Sequence, residues 1–226
     1  KSLGICRIQS RMASLLSARK QSINNVDETD RVLFDDIASM AIARGMPTAE
    51  LPGFEPAGPR KMIYFDPSKA RAAVVTCGGL CPGFNDVIRA LVMELTFRYG
   101  VKRILGIRNG YQGFIGRYGY PVVELSPDLV SHVNENGGTL LGTSRGQQDA
   151  VEIVDCLERQ GINMLFVVGG DGTLRGALSI TQEIAQRGLK IAVVGIPKTI
   201  DNDIMFIDQS FGFQTAFAMA SDAIRA

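Results

Sequence analysis

The 226-residue chain is long enough for one large domain or one and a half small ones. It is 46% hydrophobic and 21% charged, an ordinary globular balance, and its net charge of +1 implies no general attraction to nucleic acid or to acidic membranes. Any anion must therefore be held by local placement of charge. No apolar run approaches the roughly 20 residues that span a bilayer.

The first 60 residues differ from the rest. Lys1–Val26 carries five Lys or Arg and no Asp or Glu. It reads either as an organellar transit peptide or as a helix that packs on a partner through Met12, Leu15, Leu16 and Ile23. Pro47–Arg60 holds four prolines among glycines and is expected to be a linker or surface-hugging arm. Residues 1–60 are thus an irregular or helical extension, and 61–226 a separate domain.

From Lys61 onward the pattern is regular. Strands are expected at Arg71–Thr76, Arg103–Ile107, Val122–Leu125, Met164–Val168 and Ile191–Ile196. Helices are expected from Asn85 to Tyr99, closed by Gly100, and over Asp149–Gln160 and Leu174–Arg187. The inward faces are Val151, Val154 and Leu157 in the second, and Leu174, Ala177, Leu178, Thr181 and Ile184 in the third. A further amphipathic helix begins near Phe213. Buried strands alternating with helices imply an α/β fold, a doubly wound, mostly parallel sheet with helices on both faces. Ligands bind beyond the carboxyl ends of such strands, where every Gly-rich segment of this chain falls.

Four cysteines and one histidine, His132, give no zinc spacing. Cys77 and Cys81 bracket Gly78-Gly79-Leu80 and read as small loop residues rather than a disulfide, which suits a cytosolic-type compartment.

Four loops are candidates for chemistry. Thr76–Gly83 joins a strand to a helix; it is either a tight turn or an anion cradle backed by the positive end of the helix near Asn85. Gly169-Gly170-Asp171-Gly172-Thr173 has the same placement. A carboxylate beside phosphate repels it unless Mg²⁺ bridges the two, so Asp171 is a metal candidate, with a helix N-terminal charge as the alternative. Thr173 is a candidate N-cap. In Pro197–Asp203, Asp201 and Asp203 share a side if the backbone is extended, and two carboxylates so placed divide the roles of proton acceptor and metal support. Thr199 is suited to a sugar or phosphate oxygen and Lys198 to a developing negative charge. An Asx-rich turn is the other reading. Asn136–Gly146 adds Arg145 after small residues. Arg108-Asn109-Gly110-Tyr111 follows another strand and is a candidate border for a nucleotide, with Tyr111 expected to be packed rather than stacked on a base. His132 is given no role.

Taken together, these segments resemble the phosphofructokinase family over roughly Lys61 to Ala226. The likeness rests on Gly78-Gly79 with Pro82-Gly83-Phe84-Asn85, Gly110-Tyr111, Gly137–Arg145, the GGDG loop, the TIDND segment and Phe211-Gly212-Phe213. The resemblance implies two similar α/β domains with the active site between them, and Mg²⁺-dependent phosphorylation of the 1-hydroxyl of fructose 6-phosphate in glycolysis. It implies Asp201 as the base, with Asp203 in support. Thr199, Ile200 and Asp201 would contact the sugar substrate. Gly78, Arg108, Arg145, Gly146, Gly170, Asp171, Gly172 and Thr173 would line the ATP site, with Asp171 on the metal. It also implies an allosteric homotetramer in the cytoplasm, an organelle being the alternative that the acid-free N-terminus leaves open.

The donor turns on two positions. Pyrophosphate-using relatives carry a second Asp where this chain has Gly172, and Gly leaves room for a nucleotide. Lys198 is typical of pyrophosphate enzymes. The mixture resembles an ATP-using branch with otherwise pyrophosphate-like sequence. Kinases for NAD or lipids also carry GGDGT but lack PKTIDND, which lies 24 residues downstream here. A nucleotide-binding regulatory subunit is the non-enzymatic alternative. The chain begins without Met, and a Met-Gly-Arg segment that grips the sugar phosphate is expected after Ala226. It is therefore expected to be an N-terminal portion that supplies the donor site, metal site and base.

Overall fold

The computed structural model describes residues 3–12, 26–27, 29–33, 45 and 53–225. The chain divides into two compact units, one of Cys6–Tyr64 and one of Lys1–Ile5 with Phe65–Ala226.

In the first unit, β1 (Ile8–Gln9) pairs antiparallel with β4 (Met62–Ile63), and β2 (Val32–Leu33) with β3 (Gly53–Phe54). The segment expected to be an unpacked linker thus contributes a strand at Gly53–Phe54, because its backbone groups find partners in Val32–Leu33. Met12 is buried; Leu15, Leu16 and Ile23, the rest of the expected apolar side, lie outside the described residues.

The second unit is built on a five-stranded sheet in the order β7-β6-β5-β8-β9. Strands β5 (Arg71–Thr76), β6 (Arg103–Ile107), β8 (Met164–Gly169) and β9 (Ala192–Pro197) are parallel, and the edge strand β7 (Val123–Glu124) is antiparallel to β6. The apolar run of β5 is buried on both faces. Ala73 and Val75 join one core with helices α2 (Ala150–Gln160) and α3 (Asp171–Gln186). Ala72 and Val74 face the other way, against Ile88 and Val92 of α1 (Phe84–Met93). Period-two alternation on a doubly covered strand produces this division.

The helix expected to run to Tyr99 continues α1 as a wider π-type coil, Glu94–Tyr99, before Gly100 closes it at φ 81°. Asp149 caps α2 by accepting a hydrogen bond from the Val151 amide at 2.9 Å. Two inward faces differ from expectation. In α2 the buried residues are Ile153, Val154, Cys156 and Leu157, and Val151 is exposed in the first turn. In α3 they are Thr173, Ala177, Ile180 and Ile184; Leu178 and Thr181 are exposed. Val154 and Leu157 of α2 and Ala177 and Ile184 of α3 face inward as expected, and the remaining inward positions are taken by Ile153, Cys156, Thr173 and Ile180. The last helix, α4 (Phe213–Arg225), has no buried residue. No helix among the described residues is long and apolar enough to cross a membrane.

Candidate active site

After β5 the chain turns to one side for β6 and returns on the other side for β8. The crevice between the loops after β5 and β8 is therefore the topological switch point of the sheet. A cleft of about 450 Å³ opens there. Its walls come from Cys77–Gly79 after β5, Gly170–Thr173 after β8, Lys198–Asp201 after β9, and Ser144–Gln147 with Tyr111.

Gly170 is the N-cap of α3, so the first turn of this helix turns its unbonded amides into the cleft, a ready anion site. Thr173 is not the cap; it lies in the first turn, buried, because the helix begins three residues earlier than its sequence suggests. Tyr111 fixes this turn from below. Its hydroxyl donates to the Thr173 carbonyl at 2.6 Å, and its ring fills the space beside Gly176. Tyr111 is thus packed, and burial pushes its phenol well above the ordinary value.

The helix near Asn85 does not contribute its positive end. Phe211 packs edge-on against Phe84 at 6.2 Å and covers Gly83, the N-cap of α1, so this terminus stays out of the cleft.

Arg145 is aimed by the fastening of its loop. Asn85 Nδ2 donates to the Asn136 carbonyl at 2.9 Å, Thr76 Oγ1 to the Gly142 carbonyl at 2.7 Å, and Thr143 Oγ1 to the Gly78 carbonyl at 2.6 Å. A side chain on Gly79 would sit 3.7 Å from Arg145 Nη2 and 3.9 Å from Lys198 Nζ, so both cations converge over the bare Gly79 backbone. Lys198 is buried, donates to the Gly79 carbonyl at 2.6 Å, and stands 5.7 Å over the Phe84 ring.

Asp201 lines the cleft and Asp203 does not. The backbone between them is not extended: Asn202 takes φ 54°, which breaks the expected same-side alternation. Asp203 instead accepts the Thr199 hydroxyl at 2.7 Å, and Thr199 Oγ1 accepts the Asp201 amide at 3.2 Å. Asn202 clasps the far side of the loop through the Ser210 amide at 2.6 Å and the Asp208 carbonyl at 3.1 Å.

Asp171 is exposed and paired with Arg175 one turn along α3. Among the described residues no three His, Cys, Asp or Glu gather into a closed metal cage. Asp171 and Asp201 both line the cleft, and such a sparse carboxylate pair suits a Mg²⁺ that takes its remaining ligands from phosphate oxygens and water.

Gly78, Arg145, Gly146, Gly170, Asp171, Gly172, Thr173, Lys198, Thr199, Ile200 and Asp201 are thus brought together. Arg108 is exposed and outside the lining, as is Asp203. The sequence reading missed Cys77, Ser144 and Gln147. Ser144 had a usable signal, since it directly precedes Arg145. Its buried Oγ has no hydrogen-bond partner among the described residues. All four cysteines are free; burial pushes the Cys77 thiol up to about 12.

The chain is 52% identical over 224 residues to ATP-dependent 6-phosphofructokinase of Amycolatopsis methanolica, covering 99% of this chain and 49% of the relative. It is 57% identical over 170 residues to ATP-dependent 6-phosphofructokinase of Borreliella burgdorferi, covering 75% of this chain and 38% of the relative. The chain thus spans about half the length, or less, of these curated relatives. Among solved structures, phosphofructokinase from Saccharomyces cerevisiae superposes with a TM-score of 0.58 at 27% identity, over 69% of this chain and 24% of that one. A pyrophosphate-dependent phosphofructokinase from Marinobacter aquaeolei shares the fold, with the same score at 22% identity over 69% of this chain and 42% of that one. The sequence profile described as Phosphofructokinase matches residues 71–226, the whole of the sheet and every loop that lines the cleft, and the chain belongs to that family.

Proposed function

We propose that residues 61–226 are the donor-binding domain of an ATP-dependent 6-phosphofructokinase, preceded by a separate extension at 1–60. The reaction moves the γ-phosphoryl group of ATP to the 1-hydroxyl of fructose 6-phosphate. The observation that carries the reading is the opposition of Asp201 to the α3 N-terminus across one cleft at the switch point.

In this reading the α3 amides, Arg145 and the Gly78–Gly79 loop hold the donor phosphates. Asp201 accepts the proton of the sugar hydroxyl as its oxygen bonds to phosphorus and the bond to the leaving ADP oxygen breaks. Thr199, held by Asp203, orders the Asp201 backbone beside the acceptor. Mg²⁺ on Asp171 supplies charge neutralisation when bound. Gly172 has nothing within 4 Å of where a side chain would start, which leaves room for a nucleotide. The same reading implies a homo-oligomer and a cytoplasmic location, the latter in keeping with four free thiols.

Lys198 favours pyrophosphate as a second reading. A coupled assay on the full-length protein, with ATP and pyrophosphate in parallel, separates the two. Turnover with ATP and loss of kcat by roughly 10²–10⁴-fold in Asp201→Asn, with ATP binding retained, are expected. Turnover with pyrophosphate alone overturns the donor assignment, and equal loss of binding overturns the role of Asp201.

A further inference from the structure

A second groove, of about 550 Å³, lies at the opposite end of the sheet, where β5 and β6 begin. Ser68, Lys69, Arg71, Lys102, Arg103 and Arg159 line it, together with Glu158 and the Gln160–Gly161 turn that ends α2. Five cations therefore surround one groove in a chain whose net charge is +1.

The acids nearby do not neutralise it. Glu158 lines the groove, but its carboxylate accepts from Arg187 at 2.9 Å. Asp66 accepts the Ser68 hydroxyl at 2.7 Å and meets Lys69 only at 3.9 Å. Lys102, Arg103 and Arg159 have no ion-pair partner among the described residues. Arg71 spends one N–H on the Gln160 carbonyl.

The sheet register adds an independent observation. Arg71 and Arg103 are direct partners in the parallel ladder of β5 and β6. Partners in register lie on the same face of the sheet, and like charges so opposed cost stability. A bound anion would relieve both the register pair and the exposed cations around it. The guanidinium forks suit phosphate, and the volume suits a small molecule. A confined groove on a nearly neutral chain does not suit a nucleic-acid strand, which needs an extended basic track.

We propose that this groove is a binding site for a small polyphosphorylated anion, separate from the donor cleft. The proposal does not rest on the activity assigned above, since its readout is binding. The probe is inorganic tripolyphosphate, titrated calorimetrically into the full-length protein in its wild-type and Arg145→Ala forms, the latter weakening the cleft for any phosphate chain. Two equivalents are expected in the wild type, one at the cleft and one at the groove, and one in the Arg145→Ala form, with groove affinity falling as salt rises. The Lys102→Ala/Arg103→Ala variant is expected to lose at least tenfold in affinity while binding an ATP analogue as before. Both residues are exposed, so the variant keeps the fold, and a Tm no lower than that of wild type checks that. Arg159→Ala should weaken binding in the same direction. Wild-type affinity in the double variant, or binding abolished by Arg145→Ala, overturns the site.

Discussion

Lys198 donates its ammonium to the Gly79 carbonyl at 2.6 Å and so ties the loop after β9 to the loop after β5. These are the loops that carry the proposed base and part of the phosphate cradle. The residue is buried and already engaged, which makes it a brace across the cleft as much as a free cation for a phosphate. Lys198→Met keeps the length and removes the donor, leaving the Gly79 carbonyl unpaired. A hydrogen bond to a charged group contributes about 1.5–3 kcal/mol, so kcat/KM for the donor should fall roughly 10–100-fold in steady-state assays of the full-length protein. Unchanged kinetics would remove the brace.

Gly172→Asp separates stability from donor choice. A side chain at this position starts in open space, and an acid in the first turn of α3 suits the helix dipole. Thermal stability should therefore be unchanged or slightly higher. ATP affinity should fall at least tenfold, because the new carboxylate faces the phosphate path. Tm and the ATP dissociation constant, measured on the same preparation, check both halves. A variant that binds ATP as tightly as wild type contradicts the steric argument.

Thr199 and Asp203 act as one unit. The Asp203 carboxylate holds the Thr199 hydroxyl at 2.7 Å, and that oxygen in turn receives the Asp201 amide. Thr199→Val and Asp203→Ala should each lower kcat, and the double variant should be little worse than either single one. Each loss should be smaller than that of Asp201→Asn. A strictly additive double variant would mean that the two side chains work separately.

Much of this site is legible in the sequence because it follows from strand ends. The apolar runs of β5, β6 and β8 locate the strands, and the glycines that follow locate the cleft. What is not legible depends on rotation and long-range packing. Leu178 and Thr181 fit a helical period as well as Ile180 does. Which stripe meets the sheet is settled by the packing of Ala177, Ile180 and Ile184 into one core with β5 and β8. The positive φ of Asn202 is invisible in a TIDND string, and it is held by Ser210, eight residues away. Arg108 follows a strand as Asp171 does, yet it lies outside the cleft. Phe211 covers the α1 terminus from over 120 residues along the chain, a contact that local spacing does not encode.

Cys77 gives a pH prediction with a definite sign. Burial raises its thiol from an ordinary value of 9.0 to about 12 in the folded chain, whereas the unfolded chain titrates near the ordinary value. Between those values the unfolded state releases a proton that the folded state keeps. The contribution is therefore fully present below pH 9 and declines as pH rises toward 12, by about 1 kcal/mol at pH 10. Urea unfolding at pH 7 to 10 should show wild type losing stability relative to Cys77→Ala as the pH rises, whatever offset the lost sulfur sets at pH 7. In the same range the folded protein should react with iodoacetamide at Cys77 far more slowly than the unfolded chain, since the thiolate is the nucleophile. Parallel stability curves for the two proteins, or rapid alkylation of folded Cys77 at pH 8, would mean that the thiol is not held in an apolar pocket.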